Sequence, residues 1–187
     1  MSVMRGAKVA LRHITPEDYP RLVKWNQDEQ LNKLMGGDYP LTVEECRLWH
    51  RQLKSDRHWQ LFGIEGLGLG LVGDIELNHI AWRSGDAELR VRIGDKSLWG
   101  RGFGTEAVRL MLSYAFDHLK LKRVYLRVLA SNRRAIASYR KAGFKSEGSL
   151  TRRTASGGRL EIILMRILRD EFHSLYVGRP QGIAADM

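Results

Sequence analysis

The sequence feature with the clearest chemical meaning is a glycine-rich segment, residues 99–107, which reads Trp-Gly-Arg-Gly-Phe-Gly-Thr-Glu-Ala. Gly100, Gly102 and Gly104 leave backbone N–H groups unshielded and able to turn toward one point. An apolar stripe with helical spacing follows at once, so the positive end of a helix dipole points at the same place. This arrangement is typical of a pyrophosphate site. The competing interpretation is a glycine-rich connection that binds nothing.

The same glycines also raise the possibility of a dinucleotide-binding protein, because Gly102, Gly104 and Ala107 satisfy the pattern G-x-G-x-x-G/A. In that fold the glycines directly follow the first strand, and an acidic residue after the second strand binds the ribose. Here eight residues separate Ile93, the end of a predicted strand, from Gly102. The next predicted strand is followed by residues 130–132, Ala-Ser-Asn, which include no acid. The sequence therefore disfavours a dinucleotide site.

Hydrophobic patterning predicts the elements that position this segment. Residues 88–93 alternate, with Leu89, Val91 and Ile93 on one face, as expected of a half-buried strand. From Thr105 onward, apolar residues recur at the spacing of an amphipathic helix. The predicted strands are residues 9–14, 59–65, 71–79, 88–93, 124–129, 145–152 and 159–168, and the predicted helices are residues 15–26, 42–54, 105–119 and 132–143.

This order of elements predicts an α/β (α+β) fold in which helices and a sheet form three layers. The 187 residues suit one domain, predicted over residues 1–177 with a loose tail at 178–187. No apolar run approaches the roughly 20 residues of a membrane span, and no signal peptide is evident, so we expect a cytoplasmic protein without a membrane partner. The one cysteine, Cys46, and six scattered histidines predict no disulfide and no metal site.

The charge of the chain is unevenly distributed. Lys and Arg total 31 against 21 Asp and Glu, and residues 101–160 hold fourteen basic side chains and three acidic ones. Such a block attracts nucleic acid, anionic membranes or phosphorylated ligands. A nucleic-acid-binding protein is expected to have a basic helix face with exposed aromatic side chains. Here the basic residues instead follow the glycine-rich segment, and this placement favours an anionic cofactor over nucleic acid. A partner associated with the ribosome is left open.

Three motifs, in matching order and spacing, resemble the GNAT superfamily of N-acetyltransferases, within it the group that acetylates ribosomal-protein N-termini, polyamines and antibiotics. The resemblance covers most of the chain. The motifs are residues 87–89, residues 99–107, and Asn132 with residues 139–144. Where the superfamily usually has Gln or Arg, this chain has Trp99, as the ribosomal-protein-like group does. The resemblance implies a mixed, mostly antiparallel sheet of about seven strands with a central splayed parallel pair, flanked by about four helices.

The resemblance also implies that acetyl-CoA is the cosubstrate and lies where two parallel strands, residues 88–93 and 124–129, separate. Backbone groups of Arg92, Ile93 and Gly94 would hold the pantetheine arm, and an amide near Ile93 would polarise the thioester carbonyl. The cofactor-binding residues implied in this way are Arg92, Ile93, Gly94, Gly100, Arg101, Gly102, Phe103, Gly104, Thr105, Glu106, Asn132, Arg134 and Lys141.

Two residues carry the acid–base chemistry that the resemblance implies. Tyr139 matches the usual general acid, which protonates the departing thiolate; the alternative is a core aromatic near Ile136. Glu88 stands where several family members have a catalytic glutamate that would deprotonate the amine. Its alternative is an ion pair with Arg90 or a neighbouring strand. Glu76 on the preceding strand is the second candidate base, and a water relay is a third possibility.

The resemblance implies that the acceptor is a primary amine of a protein N-terminus, polyamine, amino sugar or antibiotic, and the sequence does not choose among them. Its pocket is expected between the first two helices and the final hairpin. The candidate residues are Trp25, Met35, Tyr39, Trp82 and 151–159, with Asp28, Glu29 and Asp38 as acidic groups that would attract a cationic amine. A non-catalytic CoA-binding protein of the same fold is the alternative function. A homodimer is consistent with the group.

Overall fold

The computed structural model of the chain describes residues 2–36, 39–154 and 157–176. The expected loose tail at 178–187 and the acidic candidate Asp38 lie outside the described residues. The strands are β1 (Ser2–Arg5), β2 (Val9–Arg12), β3 (Gln60–Gly66), β4 (Gly70–Ala81), β5 (Asp86–Ile93), β6 (Arg123–Leu129), β7 (Lys145–Arg153) and β8 (Arg159–Leu168). The helices are α1 (Tyr19–Asn26), α2 (Glu29–Met35), α3 (Val43–Ser55), α4 (Phe103–Ser113), α5 (Arg133–Lys141) and α6 (Arg169–Tyr176).

Within the described residues, the strands form one eight-stranded sheet in the order β1-β2-β3-β4-β5-β6-β8-β7. Neighbouring strands are antiparallel, except that β5 and β6 run parallel. The predicted mixed, mostly antiparallel sheet with one central parallel pair is confirmed. All seven predicted strands are present, with ends within two residues of the expected ones. The additional strand, β1, lies at one edge of the sheet.

The four predicted helices correspond to α1, α3, α4 and α5, whereas α2 and α6 were not predicted. A capping box precedes α3. The Glu45 amide donates to Thr42 Oγ1 at 3.2 Å, and the Thr42 amide donates to Glu45 Oε2 at 3.2 Å. Helix α4 continues into a π-helical turn, Tyr114–His118, which accounts for the predicted helix end near Leu119.

The parallel pair is short. Strands β5 and β6 are joined by three residue pairs, which are Asp86 with Arg123, Ala87 with Val124 and Glu88 with Tyr125. Beyond these pairs β5 continues to Ile93 and β6 to Leu129, each without the other as partner. Because backbone N–H and C=O groups require partners, the two facing edges form a gap suited to a ligand that can supply them.

The two faces of the sheet around β5 differ in chemistry. Ala87 and Leu89 belong to the main apolar core, together with Ala107 and Met111 of α4. On the opposite face, β4 and β5 carry polar cross-strand pairs, which are Asp74 with Arg92, Glu76 with Arg90 and Asn78 with Glu88. All but Arg90 are buried. This polar face lies on the side of α1 and α2, away from α4.

The described residues contain no helix long and apolar enough to cross a membrane. In the same part of the chain, no three His, Cys, Asp or Glu side chains cluster in a way that could hold a metal ion. Cys46 of α3 is fully buried, and burial raises the pKa of its thiol to about 11. Its thiol is therefore protonated and shielded at neutral pH, which does not suit a nucleophile.

Candidate active site

A cavity of about 560 Å³ lies where β5 and β6 separate. Its walls come from both strands, the glycine-rich segment, α5, α2 and the β7–β8 hairpin. The cavity brings together most of the residues predicted for the site, although they are spread over much of the chain. These are Glu88, Arg92, Ile93, Gly100, Gly102, Phe103, Gly104, Thr105, Asn132, Arg134, Tyr139 and Lys141.

The glycine-rich segment forms the expected turn into α4. Gly100 and Gly102 have φ values of 74° and 90°, a region that L side chains rarely adopt, and Gly102 is the N-cap of the helix. The amides of the first helical residues, Phe103, Gly104 and Thr105, have no partner within the helix. A Cβ placed on Gly104 would be 3.5 Å from Ile93, so nothing in the protein itself requires glycine there. The free space at Gly104 is therefore available to a ligand.

Three of the predicted cofactor residues do not line the cavity. The Arg101 amide donates to the Leu98 carbonyl at 3.3 Å, and the Glu106 amide donates to the Gly102 carbonyl at 3.0 Å. The Gly94 amide donates to the carbonyl of Val72 at 2.9 Å. These backbone donors are thus already engaged in the fold.

Gly94 and Glu106 have clear structural contacts. A Cβ on Gly94 would lie 2.1 Å from the Trp25 ring, so glycine allows α1 to pack against the end of β5. The Glu106 carboxylate accepts a hydrogen bond from the Lys8 amide at 2.8 Å and so ties α4 to the start of β2. Both residues position the cavity walls.

Trp99 has a role that sequence reasoning did not find. Its indole N–H donates to the Ile93 carbonyl at 2.7 Å, which holds the glycine-rich segment against the end of β5. The Arg134 guanidinium lies over the same ring, 3.5 Å from its centroid. Burial lowers the pKa of Arg134, whose side chain reaches from α5 toward the residue preceding the glycines. The indole thus links three walls of the cavity.

Asn132 caps α5 and still has hydrogen-bonding capacity. Its Oδ1 accepts from the Ala135 amide at 3.2 Å, which leaves the side-chain NH₂ without a partner among the described residues. The structural and the cofactor-binding interpretations of this residue are compatible. A second contact steadies the same region, since Thr105 Oγ1 and Ser138 Oγ lie 2.7 Å apart and join α4 to α5.

Tyr139 of α5 is buried, and its ring packs edge-on against Phe144 with centroids 5.8 Å apart. The side chain lines the cavity, and its hydroxyl makes no hydrogen bond to another described residue. Burial raises the pKa of Tyr139 to about 12. The phenol is therefore protonated throughout the neutral range and can donate a hydrogen bond or a proton into the cavity.

Glu88 is buried at the point where β5 and β6 separate. Both of its carboxylate oxygens accept from Arg127 of β6, at 2.9 Å and 2.8 Å, in a bidentate ion pair. His79 Nδ1 is 3.4 Å from Oε2, whereas Arg90, the partner named from the sequence, is 3.9 Å from Oε1. Sequence reasoning missed Arg127, because its pairing with Glu88 depends on the register between two strands far apart in sequence.

Glu76 lies on the same polar face but does not line the cavity. Its oxygens accept from Trp59 Nε1 at 3.0 Å and Asn78 Nδ2 at 2.9 Å. The pKa of Glu76 is raised to about 7, mainly because the carboxyl group is buried and further because the Asp74 carboxylate is nearby. A carboxyl group with a pKa near neutrality can exchange a proton in the physiological range.

The Arg92 side chain belongs to the fold rather than to the cofactor. It donates to Asp74 Oδ1 at 2.7 Å and to Asn26 Oδ1 at 2.6 Å, and both its side chain and that of Asp74 are buried. The rings of Trp25 and Tyr39 lie within 6 Å of its guanidinium. This network fixes α1 and the segment before α3 to β5.

The candidate acceptor residues separate into two groups. Met35 and Arg152 line the cavity, whereas Trp25, Tyr39 and Trp82 do not. Of the described acidic candidates, neither Asp28 nor Glu29 lines the cavity. Asp28 pairs with Lys96 at 2.6 Å, and Glu29 is exposed on α2.

Comparison with known proteins places these features in a family. The acetyltransferase (GNAT) domain matches residues 8–145. A spermidine N(1)-acetyltransferase of Escherichia coli (strain K12) is 36% identical over 114 residues, which are 60% of this chain and 59% of that protein's length. A probable N-acetyltransferase of Bacillus subtilis (strain 168) is 30% identical over 155 residues, 78% of this chain and 85% of that protein.

The fold of the chain also resembles that of a solved structure. The crystal structure of spermidine N-acetyltransferase from Vibrio cholerae in complex with CoA and spermine has a TM-score of 0.80 to this chain at 24% identity, and covers 88% of this chain and 98% of that one. The fold implied by the sequence motifs is confirmed by this likeness. The family match contains the glycine-rich segment, the separating strands, Asn132 and Tyr139. The chain belongs to the GNAT acetyltransferase family.

Proposed function

We infer that this protein is an acetyl-CoA-dependent N-acetyltransferase that moves an acetyl group directly to a primary amine. The observation that carries this proposal is one cavity in which two separating strands lead to the free amides of a helix N-terminus, with the Tyr139 hydroxyl in the same space. The relatives named as N-acetyltransferases support the same activity.

The residues present fit coenzyme A. The amides of Gly100, Gly102 and residues 103–105 suit a pyrophosphate at the positive end of α4. Arg134 and Lys141, which line the cavity beside this helix start, supply positive charge for the phosphates. The Asn132 NH₂ group and the unpaired edge of β5 near Arg92 and Ile93 suit the amides of the pantetheine arm. Gly94 and Glu106 contribute less to the proposed cofactor site, because their amides already form hydrogen bonds within the fold. Bound acetyl-CoA supplies an acetyl thioester at the gap between the strands.

Tyr139 is the proposed general acid. Because burial keeps its phenol protonated and no described residue accepts its hydrogen bond, the hydroxyl is available to a group in the cavity. A coenzyme A thiolate would leave as an anion, and a proton or hydrogen bond from Tyr139 would stabilise it.

Glu88 is the proposed proton acceptor for the amine, because it is the one carboxylate among the described residues that line the cavity. Arg127 holds it in a fixed orientation at the start of the gap. Glu76 is the alternative, favoured by its pKa of about 7 but separated from the cavity lining. A water that relays a proton from the amine to either carboxyl group is compatible with both.

The experiment that tests this function has two steps. Titration calorimetry should detect acetyl-CoA binding with micromolar affinity, and a thiol-reactive reagent should detect free coenzyme A when a suitable amine is added. Absence of binding below the millimolar range would refute the proposal. Binding without thiol release from any member of a panel of amines, peptides and aminoglycosides would indicate a non-catalytic CoA-binding protein instead. The cytoplasmic location and the homodimer remain predictions.

A further inference from the structure

The cavity has two chemically distinct ends. One end is formed by the glycine-rich segment and α5, where the phosphates are proposed to bind. The other end is formed by α2 and the β7–β8 hairpin. Along β5, Glu88 and Arg90 are on the face opposite the apolar core that includes Leu89, so they belong to this second end. An acceptor that reaches the gap from the side opposite the cofactor would pass through it.

The charge of the lining is strongly one-sided. Among the described residues, Glu88 is the one acidic side chain that lines the cavity. The basic side chains of the lining are Lys33, Arg90, Arg92, Arg127, Arg134, Lys141 and Arg152. Arg92 is neutralised by Asp74, and Arg134 and Lys141 lie at the phosphate end. Four cations, Lys33, Arg90, Arg127 and Arg152, and the one carboxylate of Glu88 therefore remain at the acceptor end, a net charge of +3 among the described residues.

The single carboxylate is already neutralised. Glu88 accepts hydrogen bonds from Nε and Nη2 of Arg127, and Arg90 and His79 lie within 4 Å. Lys33 and Arg152 are exposed and form no ion pair with another described residue. The acceptor end thus carries a net positive charge that no described carboxylate offsets, and positive groups there repel one another and a cationic ligand.

The remaining surface of the acceptor end is apolar. It consists of Leu34 and Met35 from α2, Leu129 from β6, and Leu160 and Ile162 from β8. Cross-strand pairing places Leu129 opposite Ile162 and Leu160 opposite Arg152, so the apolar patch and one of the cations share a sheet face. A ligand that complements this end needs both an apolar portion and a negative group.

We propose that the acceptor is an amine whose carrier holds a carboxylate or another anionic group beside an apolar portion. A free apolar amino acid and a peptide N-terminus followed by an acidic side chain both present this chemistry. A polyamine, with several positive charges at neutral pH, is disfavoured by the net positive charge of this end. The acceptor would then differ from the spermidine named for the E. coli relative. This inference rests on the proposed acetyltransferase function.

The test compares acceptors that differ in one charge. Leucine is compared with leucinamide, a C-terminally amidated Ala-Glu peptide with its Ala-Gln counterpart, and both pairs with spermidine. Calorimetry on the CoA-saturated protein gives the affinity of each amine, and thiol release gives kcat/KM. We expect at least tenfold tighter binding of one anionic member than of its neutral counterpart. Preference within the leucine pair identifies a free amino acid, and preference within the peptide pair identifies a peptide terminus.

A variant links the preference to the residues. The double substitution Lys33→Gln/Arg152→Gln should lower the preference for the anionic member at least fivefold, and should leave acetyl-CoA affinity unchanged. Arg83→Gln, at the exposed turn between β4 and β5, removes a positive charge outside the cavity and should leave the preference unchanged.

The inference is overturned if spermidine binds the CoA-saturated protein as tightly as every anionic amine, or if the double variant keeps the full preference. In both cases acetyl-CoA binding and thiol release would still support the acetyltransferase function. Failure to bind acetyl-CoA would instead refute that function, so the two failures are distinguishable.

Discussion

The environment of Tyr139 separates its ring from its hydroxyl. The ring is packed against Phe144 in the core, and the oxygen faces the cavity without a partner among the described residues. The position is therefore compatible with both the core-aromatic interpretation and the catalytic one. Its pKa near 12 means that the phenol itself does not limit the rate below about pH 10.

Tyr139→Phe tests the role of this hydroxyl. We expect kcat to fall about 100-fold or more, because a positioned acid typically contributes this much, while acetyl-CoA affinity and the melting temperature stay close to the wild type. Tyr114→Phe is the matched control, since the Tyr114 hydroxyl donates to Gln60 at 3.3 Å outside the cavity. Steady-state kinetics and calorimetry measure both effects, and an unchanged kcat in Tyr139→Phe would exclude the general-acid role.

The two carboxyl groups are distinguished by substitution and pH. If Glu88 accepts the proton, Glu88→Gln lowers kcat about 100-fold at every pH, and Glu76→Gln changes it by no more than a few-fold. If Glu76 accepts it, Glu76→Gln removes the limb of the pH–rate profile centred near pH 7. Rate profiles of kcat from pH 5.5 to 9 decide between them. Arg127→Gln reports separately on the loss of the ion pair.

Site residues that belong to a short local motif were predictable from the sequence, whereas contacts that depend on the register between strands were not. The glycines, Asn132 and Tyr139 are part of short motifs whose spacing can be recognised in one chain. The Glu88–Arg127 pair joins residues 39 apart in sequence and exists only because β5 and β6 pair through Glu88 and Tyr125. No local pattern encodes that alignment.

At the scale of elements, the start of α4 is where fold and function coincide. The N-cap, Gly102, has a left-handed backbone conformation that favours glycine. Gly104 lies in the first turn of the helix and lines the cavity. Gly102 is therefore needed for the turn into the helix, and Gly104 leaves room for a ligand.

Gly104→Ala should separate these two requirements. Alanine in a helix is favoured over glycine by up to about 1 kcal/mol, and its Cβ meets only Ile93 at 3.5 Å, so the unfolding free energy should be unchanged or slightly raised. Acetyl-CoA affinity should nevertheless fall about tenfold, because the methyl group occupies space beside the helix amides. Denaturant melts and calorimetry measure the two quantities. A destabilised variant with normal affinity would contradict this account.

The elements missed from the sequence are short. Strand β1 has four residues, and α2 and α6 have seven and eight. Elements of this length show little periodicity, and their stability comes mainly from packing on neighbours. One local signal for α2 was present, because the Asp28 carboxylate caps it by accepting from the Leu31 amide at 3.0 Å.

At the scale of the whole molecule, the buried polar face couples stability to pH. Burial raises the pKa of Glu76 to about 7 in the folded protein, from an ordinary value of 4.5. The unfolded chain therefore releases this proton first as the pH rises. Stability from this group is complete below about pH 4.5 and is lost as the pH rises through 7.

Glu76→Gln tests this coupling because it removes the titration and keeps the shape. The difference in unfolding free energy between wild type and variant should shift by about 2–3 kcal/mol between pH 5 and pH 8, with the wild type losing stability relative to the variant. Urea denaturation at the two pH values measures it. A constant difference would mean that Glu76 has an ordinary pKa in the folded protein.

The charge of the molecule also has a more specific meaning once its residues are placed. The basic block at 101–160 supplies Arg127, Arg134, Lys141 and Arg152 to one cavity, while Arg90 reaches it from outside the block. The sequence associated the block with the cofactor motifs, which stays a prediction. It could not show that part of the charge lies at the opposite, acceptor end, because that depends on how the final hairpin folds back over β6.

The three residue pairs between β5 and β6 also divide the sheet mechanically. Among the described residues, strands β1–β5 and strands β6–β8 form two half-sheets joined by this short ladder, by side-chain contacts such as the Glu88–Arg127 pair beside it and by the helices. A molecule seated in the gap would complete the missing rungs and join the two halves. Cofactor binding would then slow amide hydrogen exchange along β5 and β6 well beyond the residues that the cofactor touches. The acetyl donor would in this sense act as a removable strand-like part of the sheet.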